Sequence, residues 1–300
     1  MTTFSSADFT SAQSVSLVQE MTLVGIQDAP LLSLLTAKGN VNKAGNRIQT
    51  WVERVLDVSN ASVPEGLDPI TNTVKSGRRE LSNPLEIFLK SSKVSGTAQA
   101  IANGTLTQEI QSRLIEIKVG MEKAMITGTR SDGSTGDFVR HMQGLENWAT
   151  TANTVTATSV SENAIKSTVR KLFENATNTG DIVAVMNADM KELVDSIYAD
   201  KFSYQHNVDV GFGANTFGLK VDAIQTNYGT LYILLERNAS ANTITVANTD
   251  YLHIDYLRAP HFEPLAKTGD AEGGFVVAEA TLRVDSPLAV SKLVIGTASK

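Results

Sequence analysis

Hydrophobic positions fall into a helical rhythm over one long stretch and into alternation over several short ones. Leu106, Ile110, Leu114, Ile117, Met121 and Met125 recur at steps of four, four, three, four and four, which lays a single apolar stripe along a helix. Thr105 and Gln108 have the spacing of a capping box, Glu109 and Arg113 pair at i,i+4 outside the stripe, and Gly128 supplies a stop. About 23 residues at 1.5 Å each make a helix of roughly 34 Å, long enough to act as a spine. Before it, residues 85–90 alternate: Leu85, Ile87 and Leu89 share one face, and Glu86, Phe88 and Lys90 the other. Residues 48–58, around Trp51, are similarly strand-like. The polar connection over residues 59–80 is too long for a tight hairpin and predicts a protruding two-stranded arm.

The flanks are read the same way. Residues 1–16 are rich in Ser and Thr and predict an extended or mobile arm, and residues 16–35 form an amphipathic stretch broken at Asp28-Ala29-Pro30. Pro30 suits the first turn of a short helix carrying Leu31, Leu32, Leu34 and Leu35, which Gly39 ends. Residues 150–160 are featureless and predict a crossing between domains. An α/β unit follows, with helices over 162–175 and 188–201, a buried strand over 182–186, and strands over 219–225, 230–236 and 243–247. Strands over 251–257 and 274–284 return the chain to the sheet beside the long helix, with 264–270 as a polar loop between them.

Composition narrows the function classes. A chain of 300 residues with 42% hydrophobic content buries a sizeable core, and a net charge of −6 without long runs gives no basic surface for nucleic acid. Cysteine is absent, which removes thiolate nucleophiles and cysteine-based metal sites. The N-terminus lacks the pattern of a secretory signal, and no apolar run reaches the ~18 residues of a membrane span.

Candidate chemistry is sparse. The glycine-broken stretch 210–218 lacks both the Gly-x-Gly-x-x-Gly spacing and a P-loop lysine, so it is read as a loop and not as a phosphate cradle. His253, Asp255 and His261 form the one His/carboxylate cluster. Their alternation with Leu252, Ile254 and Tyr256 favours solvent-facing polar residues over metal ligands, and a metal-dependent hydrolase stays as the alternative. Lys75, Arg78 and Arg79, mixed with Glu65 and Asp68, fit either a solvated loop tip or a contact with a neighbour.

Taken in order, several segments resemble the major capsid proteins of tailed bacteriophages, the HK97 fold, in the group similar to the SU10 major head protein. They are Asp28-Ala29-Pro30-Leu31-Leu32-Ser33, Arg47-Ile48-Gln49-Thr50-Trp51-Val52, the return strand at 83–97, the helix at 105–129, Gly144-Leu145-Glu146-Asn147-Trp148, and Glu263-Pro264-Leu265-Ala266-Lys267-Thr268-Gly269-Asp270. The resemblance implies an α+β fold: an N-terminal arm (1–46), an extended two-stranded loop (47–97), a peripheral domain with the spine helix (98–149), an α/β axial domain (150–250) and a return to the peripheral domain (251–300). It implies a structural protein with no catalytic, cofactor or metal site. Hexamers and pentamers would close an icosahedral or prolate shell around double-stranded DNA in a virion built in the bacterial cytoplasm, with portal and scaffolding or decoration proteins as partners and no membrane. An encapsulin-like nanocompartment shell is the alternative within the fold. Lys75, Arg78, Arg79, Glu65, Asp68, Lys267 and Asp270 are the candidate contacts between subunits. No charged scaffolding segment precedes Ser16, so a separate scaffolding protein or unaided assembly is expected. No lysine–asparagine pattern marks a cross-link.

Overall fold

A computed structural model describes residues 28–56, 65–66, 77–101, 105–134, 138–202, 208–210, 214–216, 222–267 and 269–296. The arm over 1–27, most of the 57–76 connection, and the candidates Lys75 and Asp68 lie outside the described residues. The first described element is helix α1, Pro30–Ala37, with proline in its first turn, Leu31 and Leu35 fully buried, and Gly39 at φ +77 just beyond it. Strand β1, Val41–Lys43, then runs parallel to the much later β12, Leu252–Pro264.

The predicted two-stranded arm is present, with a different return strand. β2, Ile48–Val55, pairs antiparallel with β3, Gly77–Pro84, so the ribbon closes before residue 85. The chain turns there and starts β4, Glu86–Ser95, which belongs to the body and pairs with β13, Ala271–Val284. Asn83 explains the break. It is fully buried, its amide donates to the carbonyls of Leu282 (2.6 Å) and Gln143 (3.1 Å), and its oxygen accepts from Gln143 N (2.8 Å), so the ribbon ends against the body.

The order β1-β12-β13-β4 makes a four-stranded sheet. After a short helix α2, Gly96–Ile101, the spine helix α3 runs over Thr105–Thr127 and packs on β4 and β13. The side chain of Thr105 lies outside the described residues, and with it the capping box. Ile117, Met121 and Met125 of the stripe are buried, whereas Ile110 and Leu114 are partly covered. Gly128 ends the helix where a second glycine crosses it. Gly144 N donates to Gly128 O at 2.8 Å, and a Cβ on either residue would stand within 2.6 Å of backbone atoms. Helix α4, Leu145–Trp148, follows and sets Trp148 5.8 Å from the ring of Trp51.

The second sheet has six strands in the order β5-β14-β11-β6-β10-β9. They are β5 Thr154–Ala157, β6 Ile182–Met186, β9 Ala223–Thr226, β10 Gly229–Leu235, β11 Thr243–Asn248 and β14 Val290–Ile295. The expected featureless crossing therefore holds an edge strand, β5, which Thr and Val suit by being β-branched. Helix α5, Glu162–Glu174, capped by Ser161, and helix α6, Ala188–Phe202, stand beside this sheet. Ile165, Val169, Met190 and Val194 from these helices form one core with Ile182, Ala184, Met186, Ile244, Val246 and Leu293. The alternate residues Val185, Ala247 and Val290 join the other core with the spine helix. β6 is buried on both faces for this reason, which is why its sequence is an unbroken apolar run.

Two further points differ from the sequence reading. The stretch 208–216 contains a short antiparallel pair, β7 Val208–Val210 and β8 Ala214–Thr216, where a loop was expected. The last strand, β14, lies outside the four-stranded sheet and inserts between β5 and β11, so the chain end joins the six-stranded sheet.

Candidate assembly surface

The pleat of the ribbon sorts its residues onto two faces. Trp51 and Glu53 point to the body together with their cross-strand partners Leu81 and Arg79. Trp51 Nε1 donates to Val284 O at 3.0 Å, and the Arg283 guanidinium lies 5.8 Å from the ring centre. The Glu53 carboxylate is buried and takes hydrogen bonds from the Arg79 guanidinium (Nε at 2.8 Å) and from the Ser286 hydroxyl. Arg79 thus has an ion-pair partner within its own subunit while its side chain stays half exposed. The outward face carries Val52, Arg54, Arg78 and Glu80, all exposed. Arg54 and Arg78 stand directly opposite each other and make no ion pair among the described residues. Like charges so placed weaken a strand pair, and an anionic neighbour relieves them.

The other candidates sit far from the ribbon. β12 ends at Pro264 and β13 begins at Ala271, so the expected polar loop is a hairpin connection. Within it Lys267 pairs with Glu272 at 3.2 Å, Gly269 turns at φ +72, and the Asp270 carboxylate stands over Gly96, whose N–H donates to Asp270 O at 2.8 Å. The ribbon is anchored at Val284 and Ser286, at the opposite end of the same strand. Fourteen residues at about 3.3 Å each separate the two groups by roughly 40 Å. Glu65, in a turn, is exposed. Two features escaped the sequence reading. Ile87 and Leu89 are 48% and 53% exposed on β4, an edge strand, and Phe138 is 78% exposed at φ +58. For Ile87 and Leu89 the alternation was visible, but nothing in it told the covered face from the open one.

The His/carboxylate cluster does not assemble into a ligand set. His253 Nε2 lies 3.2 Å from Asp285 and opposite Arg283, whereas His261 Nε2 contacts Glu263 at 2.9 Å and its Nδ1 lies 2.7 Å from Ala259 O. No group of three His, Cys, Asp or Glu able to hold a metal occurs among the described residues. The Ala259 carbonyl and the Glu263 carboxylate raise the pKa of His261. Burial opposes ionisation of Asp285, yet His253 and Arg283 outweigh it and hold that carboxyl below its usual range. Asp255 is fully buried against the expectation of a solvent face.

The family model of the SU10 major capsid protein matches residues 2–297. The chain belongs to the SU10 major capsid protein family. Among solved structures, the capsid asymmetric unit of cyanophage A-1(L) aligns with a TM-score of 0.68 at 11% identity, covering 94% of this chain and 96% of that one. The capsid of the native GTA particle aligns at 0.64 and 12%, covering 96% and 99%. The holo-SrpI encapsulin of Synechococcus elongatus aligns at 0.58 and 8%, covering 96% of each chain. At such identities these matches establish the HK97-like fold, which the phage capsid and the encapsulin share. No curated protein matches the sequence. As a member of this family the chain is a phage major capsid protein and works as a structural homo-oligomer in the virion. No described helix is long and apolar enough to cross a membrane.

Proposed function

We propose that this capsid protein forms hexamers and pentamers that close a head around double-stranded DNA, with the ribbon and the β12–β13 hairpin as its contact points between subunits. The observation that carries the reading is the placement of two reaching elements at opposite ends of β13, one of them with an arginine pair on its outward face that makes no ion pair among the described residues. A contact in which one end of a subunit meets the other end of its neighbour is heterologous, and it builds a ring where the rotation closes. Arg54 and Arg78 would meet carboxylates of a neighbouring copy, a fitting partner in a chain of net charge −6. Val52, Ile87 and Leu89 would supply the apolar part of the interface. The acidic balance also suits a container that must later release its DNA. Assembly in the host cytoplasm, a portal, and scaffolding or decoration proteins follow from the resemblance. Family membership favours this reading over a nanocompartment, and the separated histidines give a hydrolase no support.

Size-exclusion chromatography with negative-stain imaging of the expressed chain tests the proposal. Capsomers, sheets or shells are expected. A protein that stays monomeric at high concentration would overturn it.

A further inference from the structure

The loop that joins the spine helix to α4 carries the most exposed large hydrophobic side chain among the described residues. Phe138 is 78% exposed, and Val139 beside it is 52% exposed. Two non-glycine residues among those described have a positive φ, Phe138 at +58 and Ala176 at +54. Ala176 sits just past α5, where Thr177 N donates to Leu172 O and Ala176 N to Phe173 O, the ordinary left-handed close of a helix. Phe138 ends no helix. A bulky residue in this region strains the backbone, and a ring left in water returns no burial energy to offset the strain.

The loop is held stiffly all the same. Ser131 and His141 exchange backbone hydrogen bonds of 3.0 Å across its neck. Arg130 donates to Ser82 O and Ser82 Oγ, both at 2.9 Å, and Arg140 donates to Arg47 O at 3.1 Å and pairs with the buried Glu279 at 2.7 Å. The Glu86 carboxylate accepts Met142 N at 3.0 Å and lies 2.9 Å from His141 Nδ1. Gly133 turns at φ +71 so close to the other limb that a Cβ would stand 2.9 Å from Phe138 O. None of these ties uses the side chain of Phe138 or Val139. The subunit fixes the loop and leaves its apolar tip open.

We propose that Phe138 and Val139 form a knob that docks on a second copy of this chain. The inference rests on the assembly reading above and adds a contact that neither the ribbon nor the β12–β13 hairpin supplies. Two observations favour another copy as the occupant. Arg47 and Ser82 tie the base of the knob to the foot of the ribbon, and Glu86 ties it to β4 next to the exposed Ile87, so the knob is continuous with the surface already assigned to subunit contacts. The tip is also ordered before any partner arrives. A pre-ordered aromatic side chain loses little freedom on docking, and such residues anchor the dry centre of an interface.

The test compares wild type, Phe138→Gly and Phe138→Leu, each purified alone, by urea unfolding of dissociated subunits and by light scattering of assembly. Glycine accepts a φ of +58 and removes the ring. Phe138→Gly should therefore leave the subunit at least as stable as wild type, yet raise the concentration needed for assembly by about tenfold or more. Phe138→Leu keeps an apolar knob and should assemble within roughly threefold of wild type. A ring that serves the fold gives the opposite sign: the unfolding constant of Phe138→Gly would rise about a hundredfold or more, which would overturn the knob. A photoreactive phenylalanine analogue at residue 138 gives a second reading that needs no loss of the ring. In assembled material it should join subunits into dimers on a denaturing gel, and monomer alone would refute the contact. Wild type that never assembles refutes the proposed function and the knob with it, whereas wild type that assembles beside an unimpaired Phe138→Gly refutes the knob alone.

Discussion

Arg78 and Arg79 adjoin in sequence, yet the pleat sends them to opposite faces of the ribbon and so to different tasks. Arg79 is half exposed, but its partner Glu53 is buried and also bonded to Ser286, so a reversed charge at residue 79 leaves a buried carboxylate facing another one. Removing one member of a fully buried pair costs about 3–5 kcal/mol, and the exposure of Arg79 reduces this to roughly 1–3 kcal/mol for Arg79→Glu. Arg78→Glu should leave the isolated subunit no less stable, because that side chain has no described partner to lose and a glutamate there faces Arg54 across the ribbon. Urea denaturation of dissociated subunits separates the two, and equal losses would refute the division of faces. Asp255 gives a second test. Burial raises its pKa, which Arg283 and the nearby Asn42 offset only in part. A raised carboxyl stabilises below its unfolded pKa, and that contribution is lost as pH rises through the folded value. Asp255→Asn should therefore raise the melting temperature at neutral pH, with the gain shrinking towards pH ~3 as the native aspartate regains its proton. A gain that grows in acid would show the sign to be wrong.

Among the elements, the spine helix and β6 were legible because each carries one strong period: a continuous stripe in the first, an unbroken apolar run in the second. The ribbon was legible as a hairpin, though not its end. Residues 83–90 alternate without interruption, and only the tertiary hydrogen bonds of Asn83 divide β3 from β4. β5 was missed because an edge strand of Thr and Val next to a 3₁₀ turn reads locally as a linker, and it is β14, more than a hundred residues later, that makes it a strand. The candidate contacts were found by residue type, but which of them face inward depends on register, which spacing does not reveal. Asp255 hid for the same reason. The crossing of Gly128 and Gly144 was half visible, as a helix stop without its partner. A methyl group on Gly144 would meet Gly128 N at 2.5 Å and Ile126 O at 2.6 Å, and backbone cannot step aside as a side chain can. Gly144→Ala should cost about 1–3 kcal/mol by chemical denaturation. Gly45→Ala, with nothing within 4 Å of the added carbon, should cost less than about 0.5 kcal/mol. Similar losses at both positions would refute the close crossing.

At the scale of the whole molecule, a shell is held by many weak contacts, and small changes in one contact are repeated at every copy. The subunit stays folded by its own two cores, so its surface is free to be tuned for association alone. Ile87 and Leu89 on the open edge of the four-stranded sheet are the largest test of that separation. An exposed apolar pair on an edge strand is a liability in a monomer and an asset in an interface. Ile87→Asp with Leu89→Asp takes nothing from either core, since both side chains are about half exposed and β4 keeps its pairing with β13. Each methylene group that a neighbour covers contributes about 0.8 kcal/mol, and 1.4 kcal/mol is a tenfold change in an association constant. The double variant should therefore raise the subunit concentration needed for assembly, followed by light scattering, by roughly tenfold or more. Its melting temperature as a dissociated subunit should stay within about 3 °C of wild type. Unchanged assembly would remove β4 from the interface, and a large fall in melting temperature would show that the strand supports the fold instead of the shell.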